Sequence, residues 1–175
     1  LGTQVTGSTI DLKTGDDKLI LGAFDNTVTV SNVETLIAGA SSDTVTLGSA
    51  RTSGTVDLGA GNDTLTLASS ANSLTVSNVE TVTGGAAADT VTLGTAATGG
   101  TVDLAGGNDT LNLNAGGNTL TVANVETLTG GRSSDVITLS DSLTRGSLDL
   151  GAGDDSLTLA NAGNTVTIRN IETLT

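Results

Sequence analysis

Apolar and polar residues alternate in short runs along the whole chain. In Thr55–Leu58, Val56 and Leu58 fall on one side and Thr55 and Asp57 on the other; in Thr64–Leu67, Leu65 and Leu67 oppose Thr64 and Thr66. A period of two, rich in β-branched residues, predicts strands. No stretch holds a helical period. Between two such runs lies a tight glycine loop that ends in aspartate, and Thr55–Leu67 (TVDLGAGNDTLTL) is the complete unit.

That unit recurs without insertion or deletion. Asp11, Asp57, Asp103 and Asp149 are 46 apart, as are Asp17, Asp63, Asp109 and Asp155, and Glu34, Glu80, Glu126 and Glu172. A second copy lies inside each period, where Thr81–Leu93 (TVTGGAAADTVTL) aligns with Thr55–Leu67. The loop-ending aspartates are therefore Asp17, Asp43, Asp63, Asp89, Asp109, Asp135 and Asp155, and their steps alternate between 26 and 20 residues. Steps of that size suit coils of a β-solenoid, which cannot bury an apolar face alone and stack to make one core. The expectation is an all-β parallel β-solenoid of about seven coils, alternating 20 and 26 residues within the 46-residue repeat. One domain spans 1–175, with repeats 8–53, 54–99 and 100–145 and a partial one at 146–175. Neither end reads as a polar cap, which points to a segment of a longer array or to end-to-end self-association through the terminal coils. Val79 to Val82 breaks the alternation, so the chain should bend there.

Composition narrows the class. The 175 residues include 24 Gly, one aromatic (Phe24) and no Pro, Cys, Met, Trp or Tyr, and the count of His is also 0. A core of Leu, Val, Ile and Ala suits a narrow interior. The net charge of −13 argues against nucleic acid, because a phosphate backbone needs Lys and Arg. No apolar run approaches membrane length, so no membrane insertion is expected. Without a cluster of acids beside Arg, Lys, His or Tyr, no enzyme is expected. Arg51, Arg132, Arg145 and Arg169 are isolated and read as solvent-facing.

The chemistry lies in the loops. In Leu58–Asp63 (LGAGND), two glycines permit a tight turn in which carbonyls crowd inward, and the aspartate adds a hard anionic oxygen. Stacked loops bring carboxylates of successive coils within a few ångströms, where like charges repel and burial adds to the cost. A cation between coils removes that penalty. Oxygen ligands alone favour Ca²⁺ over zinc or a softer metal. Asp57, Asp103 and Asp149 point outward before the loop and read either as additions to the metal site or as keeping the edge soluble. Asn72, Asn118 and Asn164 read as a hydrogen-bonded ladder or as turn residues, and Asn78–Thr81 (NVET) as a shaper of the bend.

These loops resemble the RTX (hemolysin-type calcium-binding) nonapeptide G-G-x-G-x-D-x-U-x, with U a large aliphatic residue. Leu58–Thr66 matches at Gly59, Gly61, Asp63 and Leu65, and Leu150–Thr158 likewise at Gly151, Gly153 and Asp155. Gly84–Thr92 matches at Gly84, Gly85, Asp89 and Val91, and Gly130–Thr138 at Gly130, Gly131, Asp135 and Ile137. None of the seven loops carries the whole motif. The resemblance implies a right-handed coil and several Ca²⁺ ions between successive coils. They would be held by Asp17, Asp43, Asp63, Asp89, Asp109, Asp135 and Asp155 and by loop carbonyls around Gly59, Gly61, Gly84, Gly106, Gly130, Gly151 and Gly153. It also implies a secreted, extracellular or cell-surface location, and a structural module of an S-layer, adhesin or self-assembling filament. A different function attaches to the Thr-x-Thr pairs Thr44/Thr46, Thr64/Thr66 and Thr90/Thr92, whose stacked hydroxyls would bind ice or glycan.

Overall fold

A computed structural model describes residues 1–161 and 163–175. Nineteen short strands and no helix are found among the described residues. The first eight are β1 (Thr6–Asp11), β2 (Lys18–Ile20), β3 (Thr27–Ser31), β4 (Thr35–Ile37), β5 (Thr44–Leu47), β6 (Thr55–Asp57), β7 (Thr64–Thr66) and β8 (Ser73–Ser77). Each strand pairs in parallel with the strand two further on. Odd strands build a ten-stranded sheet and even strands a nine-stranded sheet, so the chain winds from one to the other as a parallel β-solenoid, as the alternation predicts.

The core between the sheets follows the same alternation. Val45, Val56, Leu65, Val91, Leu111, Ile137 and Leu157 are completely buried, while the threonines between them stay at the surface. Burying each such side chain contributes about 1.5–3 kcal/mol. Phe24 stays 43% exposed in its loop.

Coil length differs from the expectation of 20 and 26. Val45 pairs with Leu65, twenty residues on, and Leu65 with Val82, seventeen on. Five strands, β3 to β7, fill one period, and β8 starts 46 residues after β3. One period is therefore two and a half coils. The 26-residue intervals are one and a half coils each, because Asn72 and Glu80 end loops just as Asp63 and Asp89 do. Counting only aspartate loops hides them.

An odd strand count per period has a geometric effect. Val30 lies in the ten-stranded sheet, but its repeat equivalent Val76 lies in the nine-stranded one. Equivalent residues of successive periods thus stand on opposite edges of the roll. The bend expected near Val79 falls at Asn78, whose φ of 53° is left-handed, and Asn32, Asn124 and Asn170 repeat it. Asparagine tolerates that region better than other side chains do.

Because Leu65 has no exposed surface and neighbours in the coils on both sides, Leu65→Ala should cost about 2–5 kcal/mol. The surface change Thr66→Ser should cost under about 0.5 kcal/mol. Denaturant unfolding of the two variants checks this, and equal midpoints would contradict the assignment of the core.

Candidate metal centre

The residue ending each loop faces the loop of the next coil. Asn26 N donates to Asp43 Oδ1 at 2.9 Å, Asp43 N to Asp63 Oδ1 at 2.6 Å, and Asp63 N to Glu80 Oε2 at 2.7 Å. On the opposite edge the same rungs recur: Asn72 N to Asp89 Oδ1 at 2.8 Å, Asp89 N to Asp109 Oδ1 at 2.6 Å, and Asp109 N to Glu126 Oε2 at 2.8 Å. The next quartet, Asn118, Asp135, Asp155 and Glu172, returns to the first edge. At the start of the chain Asp17 N donates to Glu34 Oε2 at 2.8 Å. Each quartet reads Asn-Asp-Asp-Glu. Its asparagine also closes its own loop, as Asn72 Nδ2 does on the carbonyls of Ala68 (2.9 Å) and Ser70 (2.7 Å).

The single aspartate column expected from sequence is therefore two. Asp43, Asp63, Asp135 and Asp155 line one edge, with Gly59, Gly61, Gly130, Gly151 and Gly153 in their loops. Asp17, Asp89 and Asp109 line the other, with Gly84 and Gly106. Asp17 is half-buried; the other six are at most 1% exposed.

One oxygen of each carboxylate makes the rung. The second, Oδ2, is buried without a hydrogen-bond partner at Asp17, Asp43, Asp63, Asp109, Asp135 and Asp155; at Asp89 it accepts from Gly85 N at 3.1 Å. A buried anionic oxygen with no partner is costly. Asp63 shows the strain: burial, together with the charges of Glu80 and Asp43, pushes its pKa up to about 6 against the opposing hydrogen bond from Asp43 N. Asp109 is pushed up to about 6 for the same reasons, with Glu126 and Asp89 as neighbours. Burial also raises Asp155. A hard cation would relieve each of these oxygens. Among the described residues no three acids converge on one point, so such an ion would need its remaining ligands from loop carbonyls and water. The donor set fits Ca²⁺.

The glycines let the loops stack at backbone contact. Gly59 has φ of 88°, and a Cβ there would overlap the Gly39 carbonyl of the preceding coil, which accepts from Ala60 N at 3.1 Å. Cβ atoms on Gly84, Gly130 and Gly151 would likewise overlap the carbonyls of Leu104, Leu150 and Gly131. At Gly61 a Cβ would lie 2.7 Å from Ser41 O, and at Gly153 2.6 Å from Ser134 N. Gly106 is different. Its nearest neighbour would be Ala86 Cα at 3.8 Å, and Gly107 takes the place corresponding to Gly61.

The asparagines, read as a ladder or as turn residues, do both, whereas sequence reasoning missed the glutamates as rungs and missed that both types share the aspartate column. The signal was present, because Asn72, Glu80 and Asp89 each precede the same Thr/Ser-aliphatic-Thr run. Two further readings change. Asp57 does more than keep the edge soluble: its Oδ1 accepts from Gly59 N (3.2 Å) and Asn78 Nδ2 (2.7 Å), pinning the bend to the loop of the previous coil. Asp103 and Asp149 hold Asn124 and Asn170 in the same way. Arg51 is not solvent-facing. It is 6% exposed, and burial lowers its pKa while Glu34 opposes that shift.

A family model of the RTX calcium-binding nonapeptide repeat, in four copies, matches residues 101–121. Over that span the chain is similar to the RTX repeat. The matched span holds the Asp109 loop and the Asn118 loop, one from each edge of the roll. The four repeat copies of that model cover little more than one coil of the solenoid. No curated protein and no solved structure matches the chain.

Two predictions follow from this geometry. Free aspartate titrates near about 4, whereas Asp63 and Asp109 in the fold hold their protons up to about 6. Between those values the metal-free fold binds more protons than the unfolded chain. Its stability should therefore rise as pH falls from 7 to 4.5 and be lost as pH rises through 6. Calcium, which needs the ionised oxygen, should raise the melting temperature more at pH 7 than at pH 4.5. Thermal melts with and without chelator at both pH values check the sign, and a pH-independent metal-free Tm contradicts it. Secondly, Gly59→Ala should destabilise by well over about 1 kcal/mol, from the left-handed φ and the overlap together, while Gly106→Ala should be close to neutral.

Proposed function

We propose that this chain is a calcium-stabilised structural module of a secreted or cell-surface protein, of the S-layer, adhesin or filament kind. The observation that carries the reading is the row of buried Oδ2 atoms without partners in both columns. Where calcium is scarce, these acids and the net charge of −13 disfavour the fold. Where calcium is plentiful, the ions complete it, so binding free energy becomes folding free energy. That coupling suits a chain exported unfolded and set outside the cell. The role is mechanical, supported by the absence of His, Cys and Tyr and by the regular surface. Among the described residues no helix is long and apolar enough to cross a membrane. Within a longer array, or between copies, the open edges of the two sheets are the surfaces for end-to-end association.

A second reading, ligand binding on the threonine face, has an observation in its favour. Thr27/Thr29, Thr44/Thr46, Thr64/Thr66 and Thr81/Thr83 stand in register on consecutive strands of the ten-stranded sheet. Thr90/Thr92 belong to the other sheet. A face that binds ice or glycan is therefore the one carrying Thr66, and Thr66→Leu should abolish binding while Thr92→Leu leaves it.

The deciding experiment is a calcium titration of the metal-free chain by far-UV circular dichroism, followed by electron microscopy. Gain of β-structure with calcium, reversed by chelator, is expected, with filaments or end-to-end oligomers in the calcium sample. A chain fully folded in chelator and indifferent to calcium would overturn the reading.

A further inference from the structure

The asparagine and aspartate rungs differ in one atom, and the asparagines show what that atom meets. Asn26, Asn72 and Asn118 each accept a backbone N–H on Oδ1, as the aspartates do, and turn Nδ2 back over their own loop. Asn72 Nδ2 donates to the carbonyls of Ala68 (2.9 Å) and Ser70 (2.7 Å), four and two residues before it, and to Asp89 Oδ1 of the next rung (2.8 Å). Asn26 Nδ2 meets Gly22 O, Phe24 O and Asp43 Oδ1 at 3.0, 2.6 and 2.7 Å. Asn118 Nδ2 meets Asn114 O, Gly116 O and Asp135 Oδ1 at 3.0, 2.6 and 2.8 Å. One nitrogen thus sits in the same cradle of three oxygens in each quartet. Aspartate puts an oxygen in its place. Asp89 Oδ2 lies 3.1 Å from the backbone N of Gly85, four residues back, and Asp17 Oδ2 lies 3.2 Å from where a Cβ on Gly15, two residues back, would stand. The six buried Oδ2 atoms without partners are therefore the counterparts of Nδ2. An anionic oxygen among oxygens has no hydrogen to share, so it needs a cation where an amide needs none.

We infer that Asn26, Asn72, Asn118 and Asn164 are metal-independent copies of the calcium site, in which the side-chain amide replaces the ion. The inference rests on the calcium reading above and says which rungs take no metal. Asn164 fits the set, since its Nδ2 donates to Ala160 O, four residues back, at 2.8 Å. By the same correspondence, an ion at Asp63 would draw on Oδ2, on the carbonyls of Gly59 and Gly61, and on the Glu80 carboxylate of the next rung. Water would complete the roughly six to eight oxygens that calcium takes. An asparagine excludes the ion, because its amide turns hydrogens toward the middle of the loop and already satisfies the carbonyls there. Each quartet therefore opens on a rung that closes without calcium, and its two aspartate rungs, which do not, stack directly behind it.

The test compares the full chain with Asp63→Asn, Asp63→Ala, Asn72→Asp and Asn72→Ala, using calcium alone as the probe. Bound calcium is counted by calorimetry and elemental analysis, and Tm is read in chelator and in saturating calcium. Asp63→Asn should bind one ion fewer and melt higher than the unsubstituted chain in chelator. Asp63→Ala should also lose one ion, but melt below Asp63→Asn under both conditions. Asn72→Asp should gain one ion and melt lower in chelator, with calcium restoring the difference. Asn72→Ala should melt lower under both conditions with its ion count unchanged. The ion counts are taken on the calcium-loaded chain, so they decide even for a variant that is unfolded in chelator. If Asn72→Asp gains no ion, or Asp63→Asn keeps its ion or melts no higher in chelator than Asp63→Ala, the inference falls while the calcium reading stands. An unsubstituted chain that takes up no calcium overturns that reading, and the inference with it.

Discussion

The rung between successive coils, a backbone N–H on a side-chain oxygen of the next loop, is what the solenoid depends on. Within the sheets, main-chain pairing joins each strand to its neighbours. At the loops that pairing stops, and the N–H of the last loop residue would be buried with no acceptor. Asn26, Asp43, Asp63 and Glu80 each supply the missing acceptor for the coil before them. The rung also explains why the loops at Asn26, Asp43, Asp63 and Glu80 end in a short or medium side chain with a terminal oxygen. A lysine there would have nothing to accept with.

The rung alone does not require charge. The asparagines prove it, because Asn26 Oδ1 receives Val5 N at 3.0 Å as well as any carboxylate does. An all-asparagine column would close every loop with no electrostatic penalty. The placement of Asp at two successive rungs, with Glu after them, therefore answers to something other than folding of the bare chain. What Asp adds over Asn at a rung is an unshared anionic oxygen, and that oxygen is the one left buried without a partner. The metal-binding reading rests on this difference between amide and acid at equivalent positions, more firmly than on motif likeness.

Strand alternation, the 46-residue register and the oxygen-only chemistry were all legible in the sequence, because each is carried by residues close together in the chain. Coil length was not. It depends on recognising Asn72 and Glu80 as members of the same positional class as Asp63, a likeness of hydrogen-bonding role across three residue types. Once coils were counted by aspartates alone, five strands per period could not emerge, and neither could the two-edged arrangement. Gly106 shows the same limit on a smaller scale. In Leu104–Asp109 (LAGGND) the first glycine is shifted by one, so Ala105, with a φ of 63°, holds the left-handed position that Gly59 holds at 88°. Arg51 was illegible for a different reason. A lone arginine in a polar loop looks solvated, and only its repeat position, shared with Ala97 and Leu143, marks it as part of the interior.

The odd strand count also shapes the electrostatics. Two columns place successive Asp-Asp-Glu clusters on alternate edges, with the core between them. Along one edge, Glu80 and Asp135 are separated by three coil steps, about 14 Å at ~4.8 Å per step. The rungs between them are the uncharged Ala97 and Asn118. That gap exceeds the Debye length of about 8 Å at physiological ionic strength. Repulsion is thus confined within clusters of three acids, where a locally bound divalent ion can offset most of it. An even number of strands per period would have stacked every acidic cluster on one edge. Each ion would then answer to the charge of the whole column, and the metal-free chain would resist closing its first coil as much as its last.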